Sequence, residues 1–406
     1  MTSPEDWMLD LAAGPSIESV VLDFRNWVLD EGLRGATMDD LVRGAGERLT
    51  AAGVPIDRFF VSVRVLQATV IARSTTWHSN GAIRHDSFDW AERDAGLYER
   101  SPIKVAQDTR EWVSLFLAEI PNDAYGIVPD LKEQGMTHYI VAPMYFTNGA
   151  VSAASFATRA PNGFGNRSRL ILEGIMPSFG RAVELIAMNQ MVGDVLSIYV
   201  GEDPARQILE GSVHRGQITH IRSAILFADM RDYTRRSNSL SAADISDLLN
   251  EYYDCVVPHI EAEGGHVLKF MGDGILAIFP DEECGKRQAC RAALRAARKS
   301  ILTVTRRNAD TPHGDAFTIG IALHHGRAAY GNVGSGERLD FTVIGRDINL
   351  TDRIQKLNSK FSVPILASKE FAALIDEPMT PLGRHVVRSY ESGLEVFEPN
   401  SLMDVA

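Results

Sequence analysis

Apolar residues first recur at helical spacing between residues 17 and 52, where Val20, Val21, Phe24, Trp27 and Val28 fall on one face of a 3.6-residue repeat. Thr37, followed three positions later by Asp40, marks the N-cap of a second helix that Gly53 and Pro55 close. From Phe59 to Val65 the pattern changes to strand alternation. Two β-rich runs, from Tyr139 to Phe146 and from Val151 to Ala157, flank Thr147-Asn148-Gly149 and predict a hairpin. A helical stripe then runs through Leu172, Ile175, Met176, Phe179, Val183 and Ile186 to Val195 and Tyr199, with a kink expected at Pro177. The first half is therefore expected to be α+β, ending on a long helix.

From Gly201 to Ile221 the sequence is polar and of changing character, which suits a connector. Beyond it a strand from Ala224 to Asp229 precedes a helix capped by Ser241 and Asp244, with Ile245, Leu248, Leu249, Tyr252, Val256 and Ile260 on one face. A strand from Val267 to Phe270, a tight turn and a strand from Ile275 to Phe279 follow, then an Ala-rich helix from Lys286 to about Val304. Alternating elements around a hairpin predict a mixed sheet covered by helices, so both halves read as α+β.

Composition narrows the functions open to such a chain. Its 406 residues and 45% hydrophobic fraction are enough for two domains with their own cores. No stretch approaches the roughly 18 apolar residues of a membrane span, and Glu5, Asp6 and Asp10 stand where a secretory leader carries cations, so a cytoplasmic protein is expected. A net charge of −12 argues against a nucleic-acid partner and means that a polyphosphate substrate needs cations to bind. Cys255, Cys284 and Cys290 lack CxxC spacing and read as buried free thiols on amphipathic helices.

Two acidic residues stand where strands stop: Asp229 at the end of ILFAD, and Asp273 in the turn Met271-Gly272-Asp273-Gly274. Carboxylates at the ends of neighbouring strands are fixed yet reachable, and can hold a pair of hard cations through oxygen. An Asp in a glycine-flanked turn is also ordinary turn chemistry.

The runs ILFADMRDYT (225–234), GGHVLKFMGDGILAIF (264–279) and GIALHHGRAAYGNVGSGERLDFTVIGRDINLTDRI (320–354) together resemble the class III adenylate and guanylate cyclase catalytic domain, in the family's order. The resemblance covers roughly residues 222–400 and implies a ferredoxin-like α+β fold that converts ATP to cyclic AMP with two Mg²⁺ or Mn²⁺ ions. It implies metal binding by Asp229 and Asp273, and purine reading by Lys269 and Thr342. Threonine at the second position is the pattern of the subgroup that includes bicarbonate-responsive cyclases. Lys269 can donate to adenine N1 and the Thr342 hydroxyl can accept from the N6 amino group, whereas guanine would set an N1–H against the lysine. Asn349 matches the residue that orients the ribose, and Arg353 matches the arginine that stabilises the transition state; four apart on a helix, they share a face. The amides from Arg231 through Asp232 and Tyr233 to Thr234 match the phosphate loop, with Asp232 standing where the commonest pattern has glycine. Asp352 and Arg346 replace smaller or polar residues. In such enzymes one active site draws the metal aspartates from one protomer and the base-reading, Asn and Arg residues from the other, which implies a head-to-tail homodimer. A guanylate cyclase, or a nucleotide-binding regulator without catalysis, is the alternative.

The first half resembles a divergent GAF-type sensor in its order of elements and in the run 137–164. That implies a regulatory domain over 1–195, a transducer linker over 196–221 and the cyclase domain over 222–406, with an unidentified small-molecule or protein signal. No cysteine precedes Cys255, which disfavours a thioether-linked bilin, and His78, His85 and His138 read as packed or solvated more readily than as ligands.

Overall fold

The computed structural model describes residues 15–67, 70–89, 98–211, 214, 216, 218–310, 316–335, 338–387 and 390–400. They form two units, one ending at Ile198 and one beginning at Tyr199.

The first unit opens with α1 (Ile17–Arg34) and α2 (Met38–Ala51). Thr37 and Asp40 form a reciprocal capping box at the start of α2, as their spacing predicts. Six antiparallel strands follow in the spatial order β3-β2-β1-β6-β5-β4: β1 (Arg58–Arg64), β2 (Val70–His78), β3 (Ile83–Asp89), β4 (Val113–Phe116), β5 (His138–Tyr145) and β6 (Val151–Thr158). Between them lie α3 (Pro102–Thr109) and α4 (Val128–Glu133), and the unit closes with α5 (Asn166–Val200), which runs through Pro177. The β5–β6 hairpin turns at Thr147-Asn148-Gly149, where Gly149 adopts φ 83° and Thr147 N–H donates to Glu184 of α5 at 2.6 Å.

Strand alternation divides the core of this unit. Phe59, Val61, Ile140, Ala142 and Phe156 pack on α1, α2 and α5. Tyr139, Val141, Ala153 and Ala157 face the other way, toward Ala106 of α3 and Leu131 of α4. Two glycines inside α2 allow the first of these layers to close. A Cβ on Gly44 would lie 2.4 Å from the Trp27 ring and one on Gly46 would lie 2.5 Å from the Trp77 ring. Helix propensity alone favours alanine at both positions. We expect Gly46→Ala to destabilise this unit by about 1–3 kcal/mol in chemical denaturation, because the buried indole has nowhere to move; a stabilised variant would show that propensity dominates.

The second unit begins with α6 (Glu202–Leu209) and β7 (Ile218–Met230), so the expected connector contributes a helix and the start of a strand. After α7 (Tyr233–Ser237) come α8 (Ala242–Ala262), β8 (His266–Met271), β9 (Gly274–Pro280), α9 (Asp281–Cys284) and α10 (Lys286–Ala309). The chain continues through β10 (Ile319–Ser335), β11 (Arg338–Ile344), α11 (Arg346–Phe361), β12 (Ile365–Ser368), α12 (Lys369–Ala372), β13 (Met379–Val387) and β14 (Tyr390–Pro399). The sheet order is β13-β14-β12-β10-β7-β9-β8, with β11 paired to β10. Only the β10–β12 pairing is parallel among those described, which makes the sheet mixed as expected.

Each face of this sheet carries its own helices. Ala224, Leu226, Ala228 and Met230 of β7 pack with α8 and α10, whose buried Ala289, Ala292, Ala293, Ala296 and Ala297 let the helix lie close. Ile225 and Phe227 point to the opposite face, with Ile348, Leu350, Ile354 and Leu357 of α11. The first residues of β7 are exposed although paired to β10 as far as Gly331, so their polar pattern hides the strand from a hydrophobic reading.

Candidate active site

By the alternation of β7, Asp229 shares the face of Ile225 and Phe227 and so lies on the α11 side of the sheet. Asp273 sits in the β8–β9 turn, where Gly272 adopts φ 64° and its carbonyl accepts from Tyr253 of α8. The turn brings the Asp273 carboxyl into hydrogen-bonding contact with that of Asp229. Burial, then Asp273 and the charge of Asp352, push the Asp229 carboxyl up to about 8, against an opposing hydrogen bond from Gln355. Two acids that crowd this closely share a proton unless a cation replaces it, and their oxygen donors suit a hard divalent ion. Among the described residues no group of three or more His, Cys, Asp or Glu side chains is arranged to hold a metal. A cation here would therefore take two carboxylates from the chain and fill its shell with substrate phosphate and water.

The raised Asp229 pKa has a signed consequence. The folded state holds this proton more tightly than the unfolded one, so without cations stability falls as pH rises from the ordinary 3.8 through about 8. We expect thermal melts in chelator to show that decline for wild type and a flatter profile for Asp229→Asn, with added divalent ion closing the gap. Parallel profiles would contradict the crowding.

Helix α11 presents two different faces. Gln355, whose side chain approaches Asp229, is buried with Ile354 and Asn358, and Asn358 Nδ2 donates to the Ile321 carbonyl at 3.1 Å. Arg353 lies about 160° around the helix from Gln355, and Asn349 about 120° from it. Asn349 is exposed, and the half-buried Arg353 contacts Asp352 Oδ2 at 3.1 Å. Asp352 also accepts from Lys356 at 2.8 Å, so it anchors cations along the stripe that carries Arg353. At the helix start Asp347 accepts from the Arg327 amide at 2.7 Å, and contact with His324 holds its carboxyl below the usual range. The structure thus turns Asn349 and Arg353 away from the side of α11 that meets Asp229 in the same chain.

Lys269 and Thr342 come together from β8 and β11, with Nζ 3.4 Å from Oγ1. A β-bulge makes this possible. Val267 pairs with Ala277 but Lys269 pairs with Leu276, which shifts the register by one and turns Lys269 to the α11 side. Asp340, two residues before Thr342 on the same strand face, accepts from Lys269 Nζ at 2.9 Å. Nothing in the sequence pattern marks Asp340; the strand period would have found it only once Thr342 was placed.

The loop after β7 holds the residues expected to contact phosphate. The Arg231 amide donates to the Thr318 carbonyl at 2.8 Å, which takes it out of the phosphate loop, and its guanidinium Nη2 bonds the carbonyls of Asn358 and Val363. That leaves the amides of Asp232, Tyr233 and Thr234 at the start of α7, where helical N–H groups lack acceptors within the helix. Asp232 adopts φ 58°, a left-handed conformation that favours glycine and that Asp tolerates, which accounts for glycine being the commoner residue there.

The histidines of the first unit and the cysteines differ in burial and contacts. Cys255 and Cys290 are buried, and burial pushes the Cys290 thiol up to about 12, but Cys284 is exposed because its helix is four residues long and ends at Gly285. His138 stacks on Phe116 at 4.0 Å and accepts from the Phe164 amide at 3.1 Å, while His85 pairs with Asp39 at 3.2 Å. His78 lies beside Arg58, where burial and cations lower its pKa. No helix among the described residues is long and apolar enough to cross a membrane.

Residues 218–377 match the family described as the adenylate and guanylate cyclase catalytic domain. The chain carries a class III cyclase catalytic domain. This cyclase domain is similar to adenylate cyclase 1 of Rhizobium meliloti, with 27% identity over 52% of this chain and 33% of that protein. It is similar also to an adenylate cyclase of Anabaena cylindrica, with 31% identity over 39% of this chain and 32% of the relative. The chain thus spans about a third of the length of these curated relatives. Among solved structures, the adenylyl cyclase CyaB from P. aeruginosa is 23% identical and covers 47% of this chain and 100% of its own, with a TM-score of 0.40.

Proposed function

We propose that the chain is an adenylate cyclase that converts ATP to 3′,5′-cyclic AMP and pyrophosphate. The observation that carries this reading is the convergence of Lys269 and Thr342, 3.4 Å apart, in the cyclase domain that also pairs Asp229 with Asp273. Two Mg²⁺ or Mn²⁺ ions held by Asp229 and Asp273 would lower the pKa of the ribose 3′-hydroxyl and offset charge at the α-phosphate. Lys269 donates to adenine N1 and Thr342 accepts from the N6 amino group. Asp340 fixes the ammonium of Lys269 for that contact and, as an acceptor beside it, also suits an amino group on the base. Asn349 orients the ribose, and Arg353 meets the phosphoryl oxygens with its planar fork. The amides of Asp232 to Thr234 take the remaining phosphate contacts.

The active chain is a head-to-tail homodimer in this reading, because Asn349 and Arg353 are turned away from their own Asp229. The exposed apolar Leu185, Met188, Val192 and Tyr199 recur at three-, four- and seven-residue steps along α5, a spacing that suits a paired helix. The first unit is a GAF-like sensor, supported by its six-stranded sheet with helices on both faces, and the protein works in the cytoplasm.

Base reading has a direct test. Lys269→Glu places an acceptor against adenine N1, and we expect kcat/KM for ATP to fall by about a hundredfold while the gap to GTP narrows. Asp340→Asn is expected to raise KM for ATP by less than about tenfold, since the ammonium remains but is held less firmly. Unchanged ATP kinetics in Lys269→Glu would place the base elsewhere.

A further inference from the structure

The face of the first sheet that turns toward α3 and α4 carries polar groups in adjacent cross-strand rows. One row runs Tyr139, Ala157, Arg58, His78, and the next runs Val141, Ser155, Phe60, Thr76, Arg84. Over these rows lies a cavity of about 610 Å³. Arg58, Phe60, Thr76 and His78 line it from the sheet, and Ile103, Ile127 and Leu131 line it from the helical side.

The cations around this cavity differ in how they are partnered. Arg84 is bonded to Asp86 at 2.8 and 3.0 Å, and the nearby Arg159 is paired with Asp57 at 2.9 Å. Arg58 forms no ion pair among the described residues; its guanidinium lies 5.1 Å from the Phe60 ring and beside the hydroxyl of Tyr139. Its Nη1 is shut off from solvent, and the hydroxyls of Tyr139 and Ser155, on residues with no exposed surface, lie near one another and near that guanidinium as neutral neighbours that supply no counter-charge. A half-buried guanidinium with one N–H shut off from solvent and no ion pair is unfavourable, and a ligand carboxylate would supply the missing partner.

We propose that this cavity binds a small organic carboxylate, with Arg58 pairing the carboxylate and Phe60, Ile103, Ile127 and Leu131 enclosing an apolar body. A singly charged ligand suits the site, because Arg58 is the lining arginine without an ion pair among the described residues, while Asp86 and Asp130 on the lining oppose a multiply charged anion such as phosphate. A lining of a few charged groups and several apolar walls is the usual composition of a small-molecule site. The inference deepens the sensor reading and rests on it for its regulatory meaning. Its test reads binding and not turnover, so an inactive cyclase domain would leave it standing.

The test uses the full chain with benzoate as the probe and uncharged benzamide as the control, followed by thermal melts and titration. Benzoate is expected to raise the melting temperature of wild type and benzamide to leave it unchanged. Arg58→Met should weaken benzoate binding at least about tenfold. It should also melt above wild type when no benzoate is present, because the unmatched charge is gone. Arg58→Gln, which keeps a polar side chain of similar reach, should lose the benzoate response as well. The proposal is overturned if benzoate gives no shift in wild type, or if wild type and Arg58→Gln respond alike.

Discussion

Asp273→Asn is expected to lower cyclase turnover by about a hundredfold or more while leaving the fold and the oligomeric state as they are. The substitution keeps the size and hydrogen-bonding reach of the side chain, and the turn itself depends on Gly272 at φ 64° and not on the carboxylate. What it removes is one of two anionic oxygen donors, and several kcal/mol of transition-state stabilisation go with a catalytic cation. The measurement is cyclic AMP formation at saturating Mn²⁺, with circular dichroism and gel filtration as controls. Wild-type activity in Asp273→Asn would remove the carboxylate pair from the mechanism.

Mixing two inactive variants should restore activity. Asp229→Ala and Asn349→Ala are each expected to be nearly inactive, since every site in either homodimer lacks an essential group. In the proposed dimer the two groups come from opposite chains, so co-expression is expected to form mixed dimers in which one site collects both defects and the other none. Random pairing makes half the dimers mixed, each with one intact site of two, so activity should recover to roughly a quarter of wild type. The geometry behind this is the turn of α11, whose Gln355 meets Asp229 within the chain while Arg353 lies on the far side. No recovery in proven heterodimers would mean that each site is complete within one chain.

Much of this architecture is legible in local pattern. The Thr37–Asp40 and Ser241–Asp244 boxes mark helix starts because a cap is a local hydrogen-bond arrangement that spacing alone specifies. The Thr147-Asn148-Gly149 turn is legible for the same reason. Strands β2 and β3 are not, because β3 is a mostly exposed edge strand whose polar IRHDSFD carries no hydrophobic alternation. Within the site, Asp229 and Asp273 are visible as acids at strand ends, but their mutual contact depends on pairing between β7 and β9. The bulge that turns Lys269 across the sheet, and the Asp340 carboxylate that meets it, arise only from register. The commitment of Arg231 to the Asn358 and Val363 carbonyls depends likewise on a distant helix end. Spacing in sequence carries no information about such contacts.

The most direct test is product analysis of the purified chain incubated with ATP or GTP and either Mg²⁺ or Mn²⁺. An adenylate cyclase with Lys269 and Thr342 at the base makes 3′,5′-cyclic AMP and pyrophosphate from ATP, at least about tenfold faster than cyclic GMP from GTP. Chelation abolishes the reaction, and restoring the metal recovers it. Failure to form either cyclic nucleotide with either metal, or faster turnover of GTP than of ATP, would contradict this assignment.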